Sequence, residues 1–170
     1  MRHQHDHFRQ TWTMLYDACK ENKRPQGMSL KRFIDEGLNF IGYLTAHHNI
    51  EETYLFPILA RKMPEFQSGS STPSNPSRRR DPSAPKPRDN PLAAELLQQH
   101  RQIHAGMDVF EDYLRRCRNR ETELELAVLK EKMDSWGTVL WTHLDQEVRT
   151  LGAENMRKYW TIEEMRGFPI

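Results

Sequence analysis

The chain has 170 residues, which suits one domain with one sizeable core. Hydrophobic residues make up 36% of it and charged residues 29%, a balance typical of helices with one buried and one solvated face. The formal net charge of +1 argues against nucleic acid or an anionic membrane surface as a partner. No apolar run approaches the roughly 20 residues that span a bilayer, and the N-terminus lacks the apolar stretch of a secretory signal. We therefore expect a cytoplasmic protein, with the nucleus as the alternative.

The first predicted helix covers about residues 5–22. Its apolar residues recur at helical spacing. They are Phe8, Trp12, Leu15 and Cys19. Pro25 and Gly27 then break the pattern. The two cysteines, Cys19 and Cys117, belong to no CxxC pattern, so we predict no disulfide.

The second predicted helix covers about residues 29–62. Ser29 is a good N-cap residue, and Pro57 predicts a kink or break near the end of the helix because proline lacks an N–H. A three-four alternation predicts the buried stripe. Its members are Phe33, Gly37, Phe40, Leu44, His47, Glu51, Leu55 and Ile58.

Residues 64–91 have a different composition, dense in proline and serine. Such a segment buries too little apolar area to offset the entropy of ordering, so we predict a long mobile loop. The basic run Arg78–Arg80 could be a localisation or docking patch, but short basic runs are common and a solvated linker is the better interpretation.

Two further helices are predicted after the loop, at about residues 92–118 and 122–151. Asn90 and Pro91 form the start signal of the first, and Thr122 with Glu125 form a capping-box pattern at the second. The predicted stripe of the third helix is Leu96, His100, Ile103, Met107, Phe110 and Leu114. That of the fourth is Leu126, Leu129, Met133, Trp136, Leu140, His143, Glu147 and Leu151.

Gly152 is a plausible stop for the fourth helix, and residues 153–170 read as a short helix and tail that cover one end of the bundle. No segment of useful length has the period of a strand. Four long helices with short first and third connections predict an all-α fold, an up-down-up-down four-helix bundle.

Histidines and glutamates replace apolar residues inside three of these stripes. A spacing of four residues places two side chains on one face of a helix, one turn apart. The pairs at this spacing are His47 and Glu51, His100 and His104, and His143 and Glu147. Burying an unpaired carboxylate costs on the order of 3 kcal/mol or more unless a cation or hydrogen bonds compensate it. The pattern therefore indicates a bound metal.

The first helix offers a further ligand from the cluster His3, His5 and His7. His5 is preferred because Phe8 and Trp12 continue its face. In an alternating bundle the start of one helix lies beside the end of its neighbour, so all four groups can meet. Five imidazoles and two carboxylates exceed what one tetrahedral zinc uses and suit two metal ions bridged by carboxylates.

These residues resemble the hemerythrin-like, or HHE cation-binding, family. The stretch HHNIEETYLFPIL is similar to the family's second-helix motif, QQHRQIH to its third-helix histidine, and THLDQEVRTL to its fourth-helix HxxxE element. The match covers the chain from about His5 to Leu151, except for the proline- and serine-rich loop.

The resemblance implies a four-helix bundle with a non-haem di-iron centre, and manganese or zinc could replace the iron. It assigns His5 and His47 to one ion. It assigns His100, His104 and His143 to the other, with Glu51 and Glu147 as bridges. Oxygen or a related small molecule is the implied partner at the metal.

Two features leave alternatives. His48 and Glu52 form a second pair at the same spacing, turned by about 100° round the helix. His47 and Glu51 are preferred because their distance from the Leu-Phe-Pro sequence that follows matches the family motif. In the fourth helix a glutamate follows the histidine by four residues, whereas an aspartate follows by five in oxygen-carrying hemerythrins, which argues against simple reversible oxygen carriage.

Three functions compete. The first is a di-iron module that binds or senses oxygen or iron. The second is a di-iron oxidoreductase acting on oxygen, peroxide or nitric oxide, with redox support from Tyr16, Tyr43, Tyr54 or the four tryptophans, although aromatic residues at helical spacing mainly supply buried area. The third, a metal-free interaction bundle, is disfavoured by the buried carboxylates.

Overall fold

A computed structural model describes residues 2–63, 66 and 91–168. In these ranges all regular secondary structure is helical: α1 (Arg2–Lys20), α2 (Leu30–Ile50), a π-helical turn (Glu51–Leu55), α3 (Phe56–Leu59), α4 (Pro91–Arg118), α5 (Leu126–Thr150), α6 (Ala153–Met156) and α7 (Ile162–Met165). The all-α prediction is thus confirmed for the described residues. Apart from residues 66 and 91, the predicted loop at 64–91, with its Arg78–Arg80 run, lies outside them.

Each of the four long helices packs against two of the others, so their contacts form a closed ring. α1 contacts α2 and α5, and α4 contacts the same two helices. The predicted apolar stripes face the shared core, which is rich in aromatic side chains. Its largest members, each at most 6% exposed, are Phe8, Trp12, Phe33, Phe40, Phe110 and Trp136. Burial of one face of each helix against its neighbours is what holds these amphipathic helices together.

Helix starts agree with the sequence at α2 and differ at α5. The Ser29 side chain accepts a hydrogen bond from the Arg32 N–H, which confirms the predicted N-cap. The predicted capping box at Thr122 is wrong, because α5 begins at Leu126 with Glu125 as its N-cap residue. The hydroxyl of Tyr113 on α4 accepts the Glu125 N–H at 2.9 Å, so a tertiary contact fixes this start.

The π-helical turn follows α2 without a break. The Phe56 N–H donates to the Glu51 carbonyl, five residues back, so this turn holds one residue more than an α-helical turn would. The extra residue shifts the inward face, and Leu59, fully buried, takes the place predicted for Ile58. The irregularity predicted from Pro57 therefore lies in the turn before that proline.

The C-terminal segment packs beside this turn. A second apolar cluster joins the end of the α2–α3 segment to the tail, and its buried members are Leu55, Leu59, Met63, Met156 and Trp160. Lys62 strengthens the contact, since its ammonium lies 2.7 Å from Glu164 and 4.6 Å from the centre of the Trp160 ring. Among the described residues, no helix has both the length and the apolar character needed to cross a bilayer.

Candidate metal centre

Five elements contribute buried imidazole and carboxylate groups to one region between the four long helices. All of these residues are at most 7% exposed. They are His5 on α1, His47 and His48 on α2, Glu51 on the π-helical turn, His100 on α4, and His143 and Glu147 on α5. Buried polar side chains on facing helices are where bundles build metal sites.

The first cluster joins α1 and α2 to the two carboxylates. His5 Nε2 lies 3.3 Å from His47 Nε2 and 3.6 Å from Glu147 Oε2. His47 Nε2 lies 3.1 Å from Glu51 Oε1. One donor atom each from His5, His47 and Glu147 lies within 4.8 Å of the others, so these three side chains are within the reach of one cation, and a Glu51 oxygen lies beside His47.

The second cluster joins α4 and α5. His100 Nε2 lies 2.9 Å from His143 Nε2, and His143 Nε2 lies 2.9 Å from Glu147 Oε1. Glu51 Oε2 is 4.0 Å from His100 Nε2. The His48 ring stacks on that of His100 with 4.5 Å between centroids, and a nitrogen of His48 belongs to this cluster.

The two carboxylates connect the clusters. Glu51 directs Oε1 to His47 and Oε2 towards His100, and Glu147 directs Oε2 to His5 and Oε1 to His143. Each carboxylate therefore presents one oxygen to each cluster, which is the arrangement of a carboxylate that bridges two ions.

The electrostatics of the region follow from burial and from the crowding of like groups. Burial lowers the pKa of His5 to about 4 and that of His48 to about 2. Burial and the nearby Glu147 raise the pKa of Glu51 well above its ordinary value. Burial opposes ionisation of Glu147 as well, yet the neighbouring imidazoles of His100, His143 and His47 hold its pKa well below the ordinary value. His5 and His48 are thus neutral at pH 7 and have lone pairs to offer.

Several buried polar atoms of these clusters have no hydrogen-bond partner among the described residues. They are Nδ1 of His5, both ring nitrogens of His48, and both carboxylate oxygens of Glu51 and of Glu147. An unsatisfied buried polar group costs about 1–3 kcal/mol, and more when it is charged. Coordination of cations would satisfy the oxygens and supply the missing positive charge, so the donor set fits bound metal.

Two residues outside the predicted set fix the orientation of the rings. His100 Nδ1 lies 2.6 Å from Glu52 Oε1, and His143 Nδ1 lies 3.2 Å from Gln99 Oε1. Hydrogen bonds from His100 and His104 lower the pKa of Glu52 although burial opposes them, so this carboxylate accepts. A proton held on Nδ1 leaves the Nε2 lone pair facing the cluster, as a metal ligand requires.

His104 lies apart from both buried clusters. Its side chain is 36% exposed, and its Nε2 is 3.3 Å from Glu52 Oε1. The other six residues that the sequence indicated as ligands all meet in the buried region.

His48 was weighed at the sequence level only as an alternative to His47, yet the structure buries both rings. His48 could have been predicted from the width of the face that α2 turns to the interior. α2 packs against both α1 and α4, and a face that serves two neighbours covers adjacent positions.

The packed helices and the buried histidine and glutamate clusters together are typical of a metal-binding helical protein. Comparison with family models agrees, since residues 1–72 match the hemerythrin HHE cation binding domain. The resemblance found in the sequence is confirmed over this range, which contains His5, His47 and Glu51, and it implies cation binding. The candidate ligands on α4 and α5 lie outside the matched range. Neither curated proteins nor solved structures gave a match to the chain.

Proposed function

We propose that the chain holds a non-haem di-iron centre, bridged by two carboxylates, with which it binds or senses oxygen or iron. The observation that supports this most is the divided orientation of Glu51 and Glu147, whose oxygens each serve both histidine clusters. When bound, ferrous iron would supply the chemistry by which oxygen is held or detected.

The proposed ligand set follows the two clusters. His5 and His47 would hold one ion and His100 and His143 the other, with the oxygens of Glu51 and Glu147 shared between the two clusters. His48 would be an additional donor in the second cluster. Mixed nitrogen and oxygen ligation suits iron or manganese, while zinc accepts the same donors, so geometry and availability would select the metal.

The architecture that we propose for this centre is an up-down-up-down four-helix bundle. Helices that follow each other across a short connection, α1 with α2 and α4 with α5, are in contact. Short connections favour antiparallel neighbours. In that arrangement the amino end of α1 lies beside the carboxyl ends of α2 and α5, which accords with the positions of His5, His47 and Glu147 along their helices.

A di-iron oxidoreductase acting on oxygen, peroxide or nitric oxide is the second candidate. A cleft of about 580 Å³ favours it, because this cleft reaches His100 and His104 and has the apolar residues Phe56 and Leu97 in its lining. Such a cleft has room for a small substrate close to the second cluster.

Anaerobic loading with ferrous iron, followed by exposure to air, tests the proposal. We expect about two irons per chain and an absorption band typical of bridged ferric ions. A band that disappears on deoxygenation supports oxygen binding, whereas irreversible oxidation with peroxide turnover supports the enzyme. No iron uptake and an unchanged melting temperature would refute a metal centre.

Ligand variants test the assignment. His47→Ala and Glu147→Ala should each lose at least one iron, because each removes a donor of a buried cluster. His7→Ala is the matched control, since His7 lies on the same helix as His5 but is exposed and packs on Tyr43. Equal iron content in all three variants would contradict the assignment.

A further inference from the structure

A third group of donors lies outside the buried clusters and shares one residue with them. Glu52 Oε1 lies 2.6 Å from His100 Nδ1 and 3.3 Å from His104 Nε2. One donor atom from each of the three residues lies within 4.8 Å of the others. Two imidazoles and an ionised carboxylate at these distances form a plausible set of ligands for a divalent cation.

This outer group is open to solvent, unlike the buried clusters. The side chains of Glu52 and His104 are 41% and 36% exposed, whereas that of His100 is 3% exposed. All three residues line the cleft of about 580 Å³, which Pro57 and Arg101 also line. An ion that enters this cleft from solution therefore finds Glu52 and His104 exposed beside His100, which also belongs to the second cluster.

We propose that Glu52, His104 and the Nδ1 side of His100 form an outer divalent-cation site that loads the buried centre. This inference rests on the proposed metal centre and adds a route to it. The ion first binds at the cleft to the tautomer of His100 that carries its proton on Nε2, because Nδ1 then has a lone pair to offer. When the ion passes to the donors on the inner side of the same ring, Nε2 gives up its proton to solvent and Nδ1 takes one back.

His100 makes the outer site a transient one. A neutral imidazole has one lone pair, so it binds a cation through Nδ1 or through Nε2 but not through both. Once His100 Nε2 holds an ion of the second cluster, Nδ1 carries the proton and donates to Glu52. The outer site therefore works before the centre is filled and does not add a third permanent ion.

His104 is the best residue for the test because it contributes to the outer group alone. Anaerobic ferrous uptake is followed by stopped-flow absorbance in the presence of a coloured chelator, and iron content is measured at equilibrium. We expect His104→Ala to load about 10-fold or more slowly than the wild-type chain, and to reach the same final iron content. His104→Gln should behave in the same way.

Arg101→Ala is the matched control. Arg101 lines the same cleft and is exposed, but it offers no ligand and repels cations. Its removal should leave loading as fast as in the wild-type chain or faster. Slower loading in this variant would mean that the shape of the cleft, and not His104, sets the rate.

The possible results separate this inference from the proposed function. If the wild-type chain loads iron but His104→Ala loads as quickly, the outer site is refuted and the centre remains. If His104→Ala loses an iron at equilibrium, His104 belongs to the buried centre and the outer site is again refuted. If the wild-type chain takes up no iron at all, both proposals are refuted.

Discussion

His100 and His143 in the second cluster form hydrogen bonds with different kinds of acceptor. His143 donates from Nδ1 to the neutral amide of Gln99, whereas His100 donates to the carboxylate of Glu52. A carboxylate on the far side of the ring makes an imidazole a more basic ligand. The Nε2 lone pair of His100 is therefore a stronger metal ligand than that of His143.

Gln99 provides a prediction at this scale. Gln99→Leu removes the acceptor of the His143 Nδ1–H, so the ring loses both its fixed orientation and its fixed tautomer. We expect the affinity for the second ion to fall by about 10- to 100-fold, measured by competition with a chelator. Gln98→Leu, an exposed neighbour on the same helix, is the control and should bind as the wild-type chain does. Equal affinities for the two variants would show that Gln99 does not position His143.

Residue types and spacing were enough to find most of the buried site. His5, His47, Glu51, His100, His143 and Glu147 were all indicated by the sequence, because each stands where a helical stripe calls for an apolar side chain. Gln99 and Glu52 were not found as supports for the rings. A glutamine or glutamate on a helix is ordinary, and only the distance to a ring on another helix reveals its role.

At the scale of the elements, α4 and α5 are in tight contact at Gly106. A Cβ atom at this position would lie 2.3 Å from Cγ of Trp136. That atom is close to the backbone and cannot move aside cheaply. Glycine is thus required here by packing, although its backbone conformation is helical.

Two glycine substitutions test this reading. Gly106→Ala should destabilise the metal-free chain by about 1–3 kcal/mol or more, because it overpacks the contact with Trp136. Gly42→Ala places its Cβ in open space on α2 and should stabilise by about 0.5–1 kcal/mol. Urea denaturation followed by circular dichroism measures both. A loss of stability at both positions would point to helix geometry and not to packing as the cause.

The elements also show where sequence patterns stop being informative. Periodicity located the four long helices, since each buries one continuous stripe. The π-helical turn was not predicted, because one added residue leaves no mark in composition and only shifts the phase of the pattern. The predicted start of α5 is too early, because the Glu125 N–H donates to Tyr113 on another helix and not to Thr122, as the local capping pattern predicts.

For the whole molecule, the candidate centre buries a carboxyl group, Glu51, whose ionisation does not favour the metal-free fold. Glu51 has a raised pKa because it is buried beside Glu147. A carboxyl group whose pKa is higher in the folded than in the unfolded state stabilises less as pH rises through the unfolded value. Without metal, the fold therefore gains nothing from ionising Glu51 at neutral pH.

Glu51→Gln tests how the charge of this side chain affects stability with and without metal. The amide keeps the shape without the charge, so we expect the metal-free variant to melt no lower than the wild-type chain. Metal should raise the melting temperature of the wild-type chain, by linkage of binding to folding, and should raise that of the variant much less. Glu131→Gln, an exposed position on α5, is the control and should keep the full rise. A full rise in Glu51→Gln would mean that Glu51 is not a ligand.

His5 comes from the fourth residue of α1, close to a helix end. Helix ends open and close far more often than helix centres do, so an opening at this end of α1 would take His5 away from its cluster. The ion held by His5 would therefore exchange with solution at a pace set by this opening. Its residence time would depend on the helical propensity of residues that never touch a metal.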